Sequence, residues 1–182
     1  MLIAKYGKGN EKRIKKFEDK YGVALDSEYR TFLINYNGGE TPETTFKSGK
    51  RQESLRYLYG INTKESIEVQ LEYFDYQEKA CIPIGTDVFG NYFAIGISEE
   101  NRGLIYFCDH ERGFRKSKIA NSFKDFISKC TSEQIKPPLP PKQIEKKIIE
   151  EGRKNIINKH LRKYWKEQYK HYKNMVQEEV VL

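Results

Sequence analysis

The chain has 182 residues, of which 37% are hydrophobic, and a formal net charge of +7. That length supports one domain with a real core and some extra chain, and no apolar run approaches the roughly 20 residues that span a bilayer, so no membrane span is expected. The opening MLIAKYGKGN turns polar after four residues and does not resemble a signal peptide, which makes a cytoplasmic location the expectation.

The charge is uneven. Lys136–Leu182 carries 12 Lys and Arg against 6 Asp and Glu, whereas residues 1–135 carry 21 against 20. An argument toward a polyanion therefore concerns the C-terminal segment alone. Cys81, Cys108 and Cys130 are far apart, show no CxxC spacing, and read as buried thiols in a reducing compartment.

Ile14, Phe17 and Tyr21 recur at helical spacing and Gly22 stops the run, predicting a first amphipathic helix over Glu11–Lys20. In LDSEYRTFLINYNGGE, Asp26 or Ser27 caps a second helix whose stripe is Tyr29, Phe32, Leu33 and Tyr36, and Asn37-Gly38-Gly39 ends it. Thr41–Arg51, broken by Pro42 and Gly49, reads as a loop with at most a short strand near Phe46. Leu55–Ile61 is a strand, and Thr63–Phe74 is a helix aligning Ile67, Leu71 and Phe74. Three apolar runs follow, ACIPIG, NYFAIGI and GLIYFCD, separated by the turn-rich TDVFG and SEENRG, which favours antiparallel pairing. Alternation puts Phe93, Ile95 and Ile97 under the helices and leaves Tyr92, Ala94 and Gly96 for a thin second layer or a recognition surface. Phe123, Phe126 and Ile127 give a closing helix over Ala120–Lys129. The order predicts an α+β fold: an antiparallel sheet flanked by N-terminal helices and a closing helix.

KPPLPPKQ, Lys136–Gln143, interrupts composition and charge and sets a boundary between a globular domain at 1–135 and a linker with a basic helical extension at 136–182. In that extension Ile157, Leu161, Tyr164, Trp165, Tyr169, Tyr172 and Val176 share one helix face, and Lys159, Arg162, Lys163, Lys166, Lys170 and Lys173 share the other. Gly152 and the offset of Ile144, Ile148 and Ile149 predict a bent helix or two helices.

Three stretches in this order and spacing, LDSEYRTFLINYNGG, IPIGTDVFGNYFAIGI and IYFCDHE, resemble the SUKH superfamily (Smi/Knr-type domain) over roughly Glu11–Lys129. The resemblance implies an α+β domain and, in bacterial members, a frequent role as an immunity protein that binds and neutralises a cognate toxin. Two positions depart from the pattern: Cys108 stands where an aromatic residue, often Trp, is expected, and Asn91 stands where an acidic residue is common. The basic extension lies outside the usual domain.

Asp87, Asp109, His110 and Glu111 offer donors for a divalent metal, but the same residues serve to close a turn and cap a strand end, which is the weightier reading. No GxSxG is present, Cys81 and Cys108 fall inside predicted strands, and no glycine loop opens a helix. His160 and His171 are about 16 Å apart along a helix and cannot share an ion. No catalytic residue, metal or cofactor is therefore assigned. The expected partner-facing residues are Asp87, Phe89, Asn91, Tyr92, Tyr106, Asp109, His110 and Glu111, with Trp165, Tyr169 and Tyr172 on the extension. The leading expectation is a non-enzymatic immunity protein whose partner is a toxin, a nuclease cleft being one surface that acidic residues would complement. The alternative is a nucleic-acid-associated or regulatory scaffold using the basic helix, which could also pair two copies of the chain.

Overall fold

In a computed structural model covering Met1–Leu182, strand β1 (Leu2–Lys5) buries Ile3 completely before the chain enters α1 (Glu11–Tyr21). The Asn10 side chain accepts the Arg13 N–H at 2.9 Å to cap α1, and Asp26 caps α2 (Ser27–Asn35) through the Glu28 and Tyr29 N–H groups. Where a loop is expected from Thr41, the structure has a long strand, β2 (Gly39–Ser48), paired with β3 (Arg51–Leu58). Pro42 sits at a bulge between Glu40 and Thr44, and Gly49, at φ 60°, turns the hairpin. Both residues mark irregularities inside a hairpin, and Thr41, Thr44 and Phe46 are buried between them.

The expected helix over Thr63–Phe74 is shorter. Ser66 caps α3 (Ile67–Gln70), the chain turns so that Phe74 enters the core, and Asp75 caps α4 (Tyr76–Lys79). Strands β4 (Cys81–Thr86), β5 (Tyr92–Gly96), β6 (Ile105–Asp109) and β7 (Arg115–Ala120) then form an antiparallel meander. Helix α5 (Phe123–Ser128) and the short β8 (Cys130–Ser132) follow, and β9 (Glu178–Glu179) returns from far along the chain. The sheet order is β7-β6-β5-β4-β3-β2-β1-β9, with β8 paired to β2, so the fold is α+β on a nine-stranded sheet.

All five residues of β5 are buried, which requires cover on both faces. On one, the Phe93 ring lies 5.3 Å from Phe126 and 5.6 Å from Phe107, and Phe123 joins Phe126 to Tyr29 and Phe32 of α2. On the other, Tyr92 packs against Phe74, Phe114 and Tyr59. That second face is thus a covered layer. A Cβ at Gly96 would stand 2.1 Å from the Asn101 carbonyl oxygen, so the β5–β6 turn folds over it at glycine distance.

Two compact units divide the chain: Met1–Glu133 with Gln177–Leu182, and Gln134–Val176. The segment expected as a terminal extension, 136–182, therefore includes six residues that return to the first unit. Leu2 marks both ends of the excursion. Its N–H donates to Ser132 Oγ at 2.9 Å, and its register partner is Glu179. Within the second unit, α6 (Pro141–Glu150) and α7 (Lys159–Lys173) are separate helices with Gly152 between them, and Arg162 Nη2 pairs with Glu145 Oε1 at 2.7 Å. No helix of the chain is long and apolar enough to cross a membrane.

Burial raises the hydroxyl pKa of Tyr29, Tyr59 and Tyr6 and pushes the Cys130 thiol up to about 12. These groups favour the folded state fully while they are neutral in both states. Above the ordinary Cys and Tyr values the unfolded chain ionises first, so stability falls as pH rises, by up to about 1.4 kcal/mol per pH unit for each fully buried group. Melting temperatures should decline from about pH 9 upward, and the part of the tyrosinate absorbance that belongs to the buried rings should appear only on unfolding.

Candidate functional site

The connection between β4 and β5 is built on one carboxylate. Asp87, only 2% exposed, accepts the backbone N–H of Phe89 at 2.8 Å and of Asn91 at 2.9 Å on Oδ1, and the Asn91 side-chain amide at 2.7 Å on Oδ2. The Thr86 hydroxyl donates to the Asn91 carbonyl at 2.9 Å and closes the base of the turn. An aspartate followed by Gly90, at φ 92°, can fold back on its own backbone in this way.

Asn91 continues the network. Its Oδ1 accepts the His110 N–H at 3.0 Å and lies 2.8 Å from His110 Nδ1. An amide suits this position because it donates to Asp87 with one end and accepts from His110 with the other; a carboxylate would put a second anion against Asp87. His110 begins a 3-10 turn, His110–Arg112, capped by Asp109, which accepts the Glu111 N–H at 3.0 Å. The turn after β4 and the turn after β6 are therefore one bonded bracket.

Arg51 and Glu53 of β3 border the bracket, a pair that sequence periodicity does not reveal because the strand signal starts at Leu55. Burial pushes the Glu53 carboxyl up, with Asp87 and Asp109 adding to it, against the pull of Arg51 at 3.1 Å. The Arg51 guanidinium also lies over the Phe107 ring, and the Val88 N–H donates to Ser54 Oγ at 3.3 Å. What the bracket presents outward is apolar: Phe89 is 72% exposed and Val88 56%. Val88 is a further residue missed in the sequence, since a lone valine in a turn carries no pattern.

The other expected site residues scatter. Tyr92 is buried and its hydroxyl donates to Gln70 Oε1 at 2.9 Å. Tyr106 is half-buried, with Lys116 Nζ 5.0 Å from its ring centroid. Glu111 and His110 are exposed beside the bracket. In the second unit Trp165 is buried, Tyr169 and Tyr172 are half-buried, and Tyr164 is more than half exposed. No three His, Cys, Asp or Glu side chains converge as metal ligands. Chemically the arrangement offers an apolar tip beside a turn of mixed charge, where Asp109 pairs with the exposed Arg112 at 3.5 Å and Glu111 stands open, and the Asp87 carboxylate is already occupied by three donors.

Comparison with known proteins adds two findings. The profile of the SMI1/KNR4 family (SUKH-1) matches residues 8–129. The SPbeta prophage-derived uncharacterized protein YokK of Bacillus subtilis (strain 168) is 28% identical over 147 residues, a stretch that covers 68% of this chain and 75% of that protein.

Proposed function

Because the chain belongs to the SMI1/KNR4 family (SUKH-1), we propose that it acts by binding another protein and not by catalysis, and that the protein bound is a toxin which it neutralises as an immunity protein in the cytoplasm. The family includes immunity proteins, and the likeness to a prophage-derived protein is in keeping with that setting.

The observation that carries the reading is the Val88–Phe89 tip. An apolar pair this exposed is held on a turn whose polar groups are bonded internally, so little conformational freedom is lost when a partner covers it. Glu111, Asp109 and His110 supply a polar rim around an aromatic anchor, the anatomy of a protein-binding patch; with Asp109 paired to Arg112, it is the exposed Glu111 carboxylate that suits a basic surface on the toxin, such as a nuclease cleft. Asp87 and Asn91 act in this reading by holding the turn, and Tyr92 by supporting it from beneath. On the second unit the contact open to a toxin or a second copy falls to Tyr164, Tyr169 and Tyr172, since Trp165 is covered.

Co-expression with the product of the adjacent gene tests the reading. The two proteins should co-purify, and the chain should rescue growth from that product's toxicity. Phe89→Ala should weaken the complex by about 2 kcal/mol, or roughly 30-fold, with the melting temperature unchanged. Failure to bind or rescue would remove the immunity role, whereas rescue with Phe89→Ala at wild-type affinity would move the contact elsewhere.

A further inference from the structure

The second unit, Gln134–Val176, holds 12 Lys and Arg against 4 Asp and Glu, and half of those cations lie on α7. At 100° per residue Lys159, Arg162, Lys163, Lys166, Lys170 and Lys173 fall within one sector about 100° wide, a stripe running about 21 Å along the helix. Lys159, His160, Arg162, Lys163 and Lys166 line a single groove.

Little on the protein neutralises this stripe. Arg162 pairs with Glu145, and Lys163 reaches Glu167 only at 3.7 Å on an exposed surface. Lys173 lies over the Tyr169 ring, and Lys159, Lys166 and Lys170 have no carboxylate within ion-pair distance. Like charges three and four residues apart oppose the helix that carries them, so an external anion would stabilise α7 as folded.

The form of the anion follows from the rest of the helix. One phosphate group needs two or three of these cations, and a stripe of six matches an extended polyanion. Insertion into a lipid surface requires the whole apolar face of an amphipathic helix to be free, and on that face Trp165 is only 8% exposed and Leu161, Tyr169 and Tyr172 are half-buried, which leaves Tyr164 alone exposed along α7. Single strands are gripped by exposed aromatic rings interleaved with the cations, and the one ring bordering the stripe, Tyr169, is half-buried with Lys173 over it. A B-form DNA duplex fits both constraints, because an α-helix enters its major groove, about 12 Å wide, and meets phosphates on either side, whereas the deep, narrow major groove of duplex RNA does not admit one. We infer that the cationic face of α7 binds the phosphate backbone of double-stranded DNA without reading its sequence. This site is separate from the Val88–Phe89 tip.

Fluorescence anisotropy of the full chain with a labelled duplex of about 20 base pairs tests it, with log K expected to fall against log salt with a slope of about −4. Two duplexes of unrelated sequence should bind within about twofold of each other, in line with backbone contact alone. The combined variant Lys159→Gln, Lys163→Gln, Lys166→Gln, Lys170→Gln should weaken binding at least about 30-fold at 0.1 M salt, whereas Lys12→Gln, Lys16→Gln, Lys50→Gln, Lys64→Gln, which removes the same charge from exposed positions of the first unit, should stay within about threefold. Circular dichroism confirms that both variants are folded. Absence of binding at about 0.05 M salt, or equal weakening in both variants, would overturn the assignment. Tighter binding to phosphatidylserine vesicles or to polyglutamate than to the duplex would overturn it as well.

Discussion

Asp87→Ala should lower the stability of the first unit by about 3 kcal/mol, a large effect for a polar side chain in a turn. Three donors converge on that carboxylate, two from the backbone and one from Asn91, and at 2% exposure water cannot replace it without opening the turn. The loss spreads, because Asn91 then no longer holds its amide in the orientation that accepts from His110. Urea unfolding followed by circular dichroism measures the change. Asp87→Asn should recover part of it, since one amide oxygen still accepts while the amide nitrogen faces donors. A loss under about 1 kcal/mol for Asp87→Ala would mean that the turn is held mainly by Thr86 and the strand pairing.

Removal of Gln177–Leu182 should cost more, about 4 kcal/mol, or a fall in melting temperature of roughly 10 °C for a chain of this size. These residues place Val180 in the core, form β9 against β1, and pair Glu178 with Lys5 at 2.6 Å. The Tyr36 hydroxyl accepts the Val181 N–H at 2.9 Å and donates to the Glu179 carbonyl at 3.2 Å, so truncation also strips a half-buried hydroxyl of its partners. Calorimetry of the truncated chain is the measurement. An unchanged melting temperature would mean that the edge of β1 needs no cover.

Elements whose stabilising contacts are local were legible in the sequence. The stripes of α1, α2 and α5, the three apolar runs that became β4, β5 and β6, and the two faces of α7 each depend on residues within a few turns of one another. The strands β1 and β9 were not legible, because two or four residues carry no period and their pairing joins opposite ends of the chain. β7, with exposed Arg115, Lys116 and Lys118, is written in the charged residues that protect an edge and so does not look like a strand. At the candidate site the turn-closing use of Asp87 followed from residue type and spacing. The burial of Tyr92 did not, because alternation separates the two faces of a strand and says nothing about what covers either one. Arg51 and Glu53 come near Asp87 through the antiparallel pairing of β3 with β4, which sets Tyr57 opposite Thr86, a relation no local window contains.

The return of β9 to β1 also sets an order of events during synthesis. β2 can pair with β1 as soon as both have left the ribosome, but the opposite edge of β1 has no partner until Glu178 and Glu179 emerge. At 5–20 residues per second the nascent chain spends about 10–35 s with that edge open, while the whole basic second unit is being made. An unpaired edge is where chains aggregate and where chaperones find purchase. Yield in a fast-translating host should therefore depend on the codons between β8 and β9, a stretch that contributes nothing to the core it delays.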